Sequence, residues 1–238
     1  MKKFVALGDP SPLLKQSLIN RGYSVIDLPR FSLLSGPVSS HCDMLFTTLR
    51  GKLFTSETYY ETARNQMDFI ANANGFDIVL DPHSELSHYP DEARFNVLSF
   101  GDYVICNTKT VSPLIKNQLC DCGEKVLHVN QGYTACSTAI CGNGMITADN
   151  SICNAAFDNG ISILKIREGH IELPGYSYGF IGGASGYCKA SNTLYFNGKI
   201  EDHPDFADIK GFADERGVNL VSLGDWPLFD CGGMFFFA

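Results

Sequence analysis

The chain has 238 residues, enough for one large domain or two small ones, and 45% of them are hydrophobic, which suffices for a full core. Its 18 Lys and Arg stand against 26 Asp and Glu, a net charge of −8 with no basic cluster, which argues against nucleic acid or an anionic membrane surface as partner and suits a small cationic ligand. Nine cysteines lack disulfide-scaffold spacing, only four apolar residues separate Lys2-Lys3 from Gly8-Asp9-Pro10, and no run reaches membrane-spanning length. The expected setting is therefore a reducing cytoplasm, without a signal peptide.

In chain order, the first predicted unit is a strand over Phe4–Leu7, a helix around Pro12–Asn20 closed by Arg21-Gly22, and a strand over Tyr23–Leu28. The second begins with two short apolar runs read as strands, His41–Phe46 and Lys52–Phe54. Its helix spans Glu57–Asn74, with Tyr59, Ala63, Met67 and Ile70 on one face, Gly75 stops it, and Phe76–Leu80 follows as a strand. The third has a strand over Asp102–Cys106, Ser112-Pro113 as helix cap and first-turn proline, a helix holding Leu114, Ile115 and Leu119, and a strand over Lys125–Val129. The fourth has Met145–Ala148, a cap at Asp149 or Ser151, a short helix through Ala155-Ala156, and Ile161–Ile166. The fifth has Thr193–Phe196, a helix opened by His203-Pro204 with Phe206, Ile209 and Ala213, and Val218–Leu223. The chain ends in Phe235-Phe-Phe237-Ala238, a run that reads as a strand and finds its natural partner in Lys3–Leu7.

The strands that precede the helices begin near Phe4, Leu53, Tyr103, Met145 and Leu194, a repeat of roughly 50 residues. Five strand–helix–strand units, with the last strand returning to the first, predict an α/β fold: a closed five-bladed α/β propeller forming a single domain over residues 1–238. A doubly wound open sheet is the rival, but it would place a phosphate loop between a strand and a helix. Gly182-Gly-Ala-Ser-Gly186 leads into a strand instead, so nucleotide binding is discounted. The polar stretches Asp81–Glu92 and Gly175–Gly183 read as connecting loops long enough to act as lids, and His83, His88 and Tyr89 could cover a cavity.

In such a ring the segments His41–Met44, Arg94–Val97, Tyr133–Cys136, Gly182–Ser185 and Phe229–Gly232 converge on the central channel. They bring together His41, Asp43, Tyr133, Asp230 and Cys231, a set with the makings of a thiol-nucleophile site. The alternative for Cys231 is a small buried hydrophobe, and Cys106, Cys120, Cys122, Cys153 and Cys188 read as packing residues. Cys120-x-Cys122, Cys136-x₄-Cys141 and His41-Cys42 all miss structural zinc spacing, so neither metal nor other cofactor is expected.

The repeat topology, the segment Gln16–Pro29 running on to Asp43, and Asn192–Leu223 leading to Leu228-Phe-Asp-Cys231 resemble the pentein, or guanidino-group-modifying, fold. That superfamily includes dimethylarginine dimethylaminohydrolase, the arginine and agmatine deiminases and the amidinotransferases, and the chain is also similar to uncharacterised bacterial proteins of the same fold. The resemblance covers nearly the whole chain. It implies that Cys231 matches the family's nucleophile and that Asp43 matches the carboxylate that grips the substrate guanidinium with paired charge-assisted hydrogen bonds. It also implies a catalytic His in the segment Gly132–Cys136, where this chain has Tyr133 and Thr134. Arg94 and Asn96 stand where acidic substrate ligands are frequent. On this reading Asp230, Tyr133 and Asn96 join Asp43 around the substrate, and two outcomes stay open. Either His41 supplies the acid/base and the chain is a hydrolase or transferase of a small cationic guanidine or amidine, or catalysis has been lost and the pocket only binds. The superfamily's non-catalytic members include a ribosome-subunit anti-association factor.

Overall fold

The computed structural model describes residues 3–83, 86–121, 123 and 125–237. The first unit is β1 (Phe4–Gly8), α1 (Pro12–Asn20) and β2 (Ser24–Leu28). The second has α2 (Cys42–Leu45), β3 (Phe46–Leu49), β4 (Lys52–Ser56), α3 (Glu57–Asn74) and β5 (Asp77–Asp81). The third runs β6 (Leu98–Phe100), β7 (Tyr103–Cys106), α4 (Pro113–Asp121) and β8 (Lys125–His128). The fourth runs β9 (Thr138–Cys141), β10 (Gly144–Thr147), α5 (Asn150–Asp158) and β11 (Ser162–Lys165). The fifth runs β12 (Ser185–Cys188), β13 (Thr193–Phe196), α6 (Phe206–Asp214) and β14 (Asn219–Ser222), and β15 (Phe235–Phe237) closes the chain.

Three of the helix starts have a side-chain cap. Ser11 accepts from the Leu14 amide at 3.2 Å with Pro12 behind it, Ser56 from Tyr59 at 3.1 Å, and Asp149 from Ser151 and Ile152 at 2.7 and 2.9 Å. Of the two candidates for the fourth cap, Asp149 is therefore the one used. α3 ends on Gly75 at φ 67°, a left-handed conformation that favours glycine. Its Tyr59, Ala63, Met67 and Ile70 are all buried.

Five three-stranded sheets result. In each, a central strand pairs in parallel with the strand after its helix and antiparallel with a short inner strand. The first sheet has the order β15-β1-β2, with Phe4 opposite Phe237 and Ala6 opposite Phe235. The C-terminal run thus closes the ring on the N-terminal strand, its three Phe half-buried rather than fully so. Inner strands β3, β6, β9, β12 and β15, one from every sheet, line a single cavity. The five sheets are therefore blades around one channel.

Two features depart from the sequence reading. The run His41–Phe46 opens with a helical turn, α2, and becomes a strand only at Phe46. The inner strands β6, β9 and β12, three or four residues each, are additional to the predicted elements, whereas β15 is the predicted C-terminal strand. Thr55 and Thr147 mark the repeat in side-chain detail. Each sits near the end of a central strand and donates to a carbonyl just before its inner strand, Leu45 at 2.8 Å and Ser137 at 2.7 Å.

Candidate functional site

The five segments that enter the inner strands meet at one end of the channel and are stitched into a closed belt. Asn96 donates to the Asp43 carbonyl at 2.9 Å and to the Cys136 sulfur at 2.9 Å, and it accepts from the amides of Ala135 and Cys136 at 2.6 and 3.2 Å. The Gly183 amide donates to the Cys136 carbonyl at 2.9 Å. The amides of Cys231 and Gly233 donate to the Gly183 carbonyl at 3.0 and 2.8 Å, and the Asp43 amide donates to Gly232 at 3.1 Å. The circuit visits all five blades. It fixes backbone positions where regular sheet pairing has ended, and buried backbone groups there need such partners.

Asp230 sits 1% exposed within this belt, accepting from the amides of Phe180 at 2.8 Å and Gly232 at 3.0 Å. A Cβ at Gly183 would lie 2.0 Å from Asp230 Oδ1 and one at Gly179 would lie 2.5 Å from its Cβ, so only glycines let the backbone close around this carboxylate. His41 Nδ1 is 3.7 Å from Asp230 Oδ1, at ion-pair distance, with both side chains buried. Burial raises the Asp230 carboxyl above its usual range, and His41 opposes that. Cys231 follows, 8% exposed, its thiol 3.5 Å from the Gly183 carbonyl oxygen. Burial, then the negative charges of Asp230 and Asp43, push this thiol up to about 12.

His41, Asp230 and Cys231 line one cavity of about 410 Å³. It lies at the loop following β1, and its rim carries Asp9, Arg30, Glu172 and Trp226. Arg30 is paired with Asp9. Trp226 Nε1 donates to Asn197 Oδ1 at 3.0 Å, and Asn197 Nδ2 donates to the Phe229 carbonyl at 3.0 Å, which fixes the approach to Cys231.

Asp43, 3% exposed, lines a different cavity, the 250 Å³ chamber walled by the inner strands. Neither of its carboxylate oxygens has a hydrogen-bond partner among the described residues. Burial pushes its carboxyl up to about 6; the charge of Asp230 adds to this, while His41 and the nearby Cys136 thiol oppose it.

The other candidates are committed elsewhere. Every polar atom of the Asn96 side chain is engaged by the belt. The Tyr133 hydroxyl donates to Glu92, and its ring lies 5.8 Å from Tyr89 and 6.4 Å from Phe180. The loop bearing Tyr89 thus covers the Tyr133 side of the ring. Cys120 is exposed rather than packed, and Cys122 lies outside the described residues. Among the described residues no group of three or more His, Cys, Asp or Glu is placed to hold a metal, and no helix is long and apolar enough to cross a membrane.

Sequence reasoning passed over Cys136, Phe180, Gly183 and Asn197. Cys136 is fully enclosed, and burial together with Asp43 and Asp230 holds its thiol well above the usual value. Its position in the third converging segment was a usable signal. Asn197 had one too: it follows β13 as Asn107 follows β7, and both side-chain amides donate to a backbone carbonyl.

The model of a family described as "Family of unknown function (DUF6873)" matches residues 8–235. The chain belongs to this family. No curated protein matches it in sequence. Among solved structures, the DDAH of Pseudomonas aeruginosa, a cysteine-to-serine variant complexed with citrulline, aligns over 100% of both chains with a TM-score of 0.54 at 10% identity. The N-terminal domain of an arginine dihydrolase from the ornithine–ammonia cycle in cyanobacteria, bound to product, aligns over 98% of this chain and 95% of its own (TM-score 0.55, 10% identity). An amidinotransferase of a saxitoxin biosynthetic pathway in Microseira wollei aligns over 92% and 76% (TM-score 0.53, 9% identity). At these identities the likeness is one of fold, and the fold is the pentein propeller.

Proposed function

We propose that this pentein is a cysteine-dependent enzyme acting on a guanidine or amidine group of a small cationic substrate. The observation that carries the reading is the convergence of Cys231, His41 and Asp230 on one 410 Å³ cavity, with His41 Nδ1 3.7 Å from the Asp230 carboxylate. With Asp9 neutralised by Arg30, Glu172 on the cavity wall and the buried Asp230 and Asp43 give the cavity a negative field that draws a cation.

In the free protein the thiol is held up by burial and by those two carboxylates. A bound cation offsets their potential and eases loss of the thiol proton to His41, while Asp230 stabilises the imidazolium. The thiolate attacks the central carbon and forms a C–S bond. Collapse of the adduct breaks a C–N bond as His41 returns the proton to the leaving amine. Water then adds to the carbon, His41 accepts its proton, and the C–S bond breaks to regenerate Cys231.

The test compares two electrophiles on native protein, cationic chloroacetamidine and neutral iodoacetamide, with the modified residue mapped by mass spectrometry. Chloroacetamidine is expected to modify Cys231 stoichiometrically, with a rate advantage over iodoacetamide greater than it shows toward free cysteine. An unlabelled Cys231 in the folded protein overturns the reading. A second reading, a ring that only binds, is favoured by the high thiol value and by the absence of His from the segment Gly132–Cys136. Guanidine turnover that is lost in Cys231→Ala would exclude it.

A further inference from the structure

The 250 Å³ chamber has features that the chemistry at Cys231 does not use. Its lining includes three oxygen acceptors without a hydrogen bond of normal geometry among the described residues: both carboxylate oxygens of Asp43 and the hydroxyl of Thr138, each residue 3% exposed. An unpartnered buried carboxylate is costly, and native structures keep few of them. Here one such carboxylate and an orphan hydroxyl line the same open chamber, so the arrangement is built for an occupant.

The walls specify that occupant. Among the described residues Asp43 is the single carboxylate lining the chamber, too little charge for a divalent cation, which gathers several oxygen ligands. Three acceptors match the three N–H donors of a primary ammonium. Below them the wall turns apolar through Val97, Leu98, Ile140, Met234 and Phe235, and the rim is wet at Ser99, which is exposed. We propose that this chamber binds a small organic monocation with an apolar tail, a primary alkylammonium whose head is gripped by Asp43 and Thr138 and whose tail lies along the inner strands. Its chamber shares no lining residue with the Cys231 cavity, so its binding does not require turnover at Cys231.

The experiment titrates butylammonium chloride into the full chain, followed by calorimetry and ligand-observed NMR, with tetramethylammonium chloride as a cation of similar size lacking N–H donors. Butylammonium is expected to bind and tetramethylammonium not. Asp43→Asn, nearly the same in shape, should weaken binding about tenfold or more, Thr138→Val should weaken it less, and Cys231→Ala should leave it unchanged. Circular dichroism confirms that each variant is folded. Equal binding by Asp43→Asn, equal binding of tetramethylammonium, or no butylammonium binding overturns the proposal. None of these readouts uses turnover or labelling, so failure of the chloroacetamidine test leaves this one standing, and the reverse holds as well.

Discussion

Replacing Asp43 by Asn should stabilise the fold at neutral pH while removing the group that most distinguishes the chamber. In the folded chain the Asp43 carboxyl titrates at about 6, against an ordinary 3.8. The native state therefore holds this proton more tightly than the unfolded chain. Stability contributed by the protonated group is fully present below pH 3.8 and is lost as pH rises through 6. A shift of this size corresponds to about 3 kcal/mol lost between those limits. Asn carries no charge to bury, though its amide brings hydrogen-bonding demands of its own, so a net gain of about 2 kcal/mol at pH 8 is expected. For a chain of this length that raises Tm by roughly 4–8 °C. Urea denaturation at pH 5 and pH 8 gives the difference between the two proteins directly. The wild type should lose ground to the variant as pH rises, and at pH 8 Asp43→Asn should have the higher midpoint. A variant that is less stable than wild type at pH 8, or a gap that does not change with pH, refutes the electrostatic account of Asp43.

Gly183→Ala should cost about 3 kcal/mol, because its Cβ would stand 2.0 Å from Asp230 Oδ1; thermal melting checks this, and an unchanged Tm would mean that the belt can yield. Arg94→Met should cost about 3–5 kcal/mol. Arg94 Nη2 lies 2.8 Å from Asp81 Oδ2 with both side chains buried, and the substitution leaves that carboxylate without its counter-charge, held among the described residues only by the Ser112 hydroxyl and the His83 amide. Chemical denaturation measures the loss, and Arg94→Lys should restore only part of it because the ammonium cannot reproduce the guanidinium's two contacts.

The helices and central strands were legible because each carries its own punctuation. Ser11-Pro12, Ser56, Ser112-Pro113 and Asp149 open the helices, and Gly22, Gly75 and Gly217 follow their ends. Such signals act within a few residues of sequence. The C-terminal inner strand was legible because three consecutive Phe demand burial, but β6, β9 and β12 were not: Leu98–Phe100, for one, is too short to display a period of two, and its pairing is set by the ring as a whole. The same reason hid the turn at Cys42–Leu45, whose four buried residues fit a strand or a helix equally well. At the site, the clustering of His41, Asp230 and Cys231 followed from blade topology alone. The direction of Asp43 did not. Its backbone is held by Asn96 on one side and Gly232 on the other, contacts distant in sequence, and these place its carboxylate in the chamber of the inner strands.

Asp43 and Asp230 are two buried carboxylates in one belt with opposite surroundings. Asp230 has two backbone amides and the His41 imidazole; Asp43 has only the weak donor of the nearby Cys136 thiol, and neither of its oxygens makes a hydrogen bond of normal geometry among the described residues. A group that breaks the rule for buried charge without compensation marks a site kept for function. The charges of both reach the Cys231 thiol and raise it, so the two cavities share an electrostatic coordinate even though they open separately. A cation seated on Asp43 cancels part of the potential at Cys231, and by linkage a thiolate at Cys231 must tighten the cation by the same factor. Alkylation by iodoacetamide at fixed pH reads this coupling. With the thiol near 12, the wild-type rate should climb about tenfold per pH unit with no plateau between pH 7 and 10. Saturating butylammonium should raise the rate, and Asp43→Asn should raise it without butylammonium and abolish the response to it. A rate in Asp43→Asn equal to wild type would mean that the chamber and the thiol are electrostatically independent.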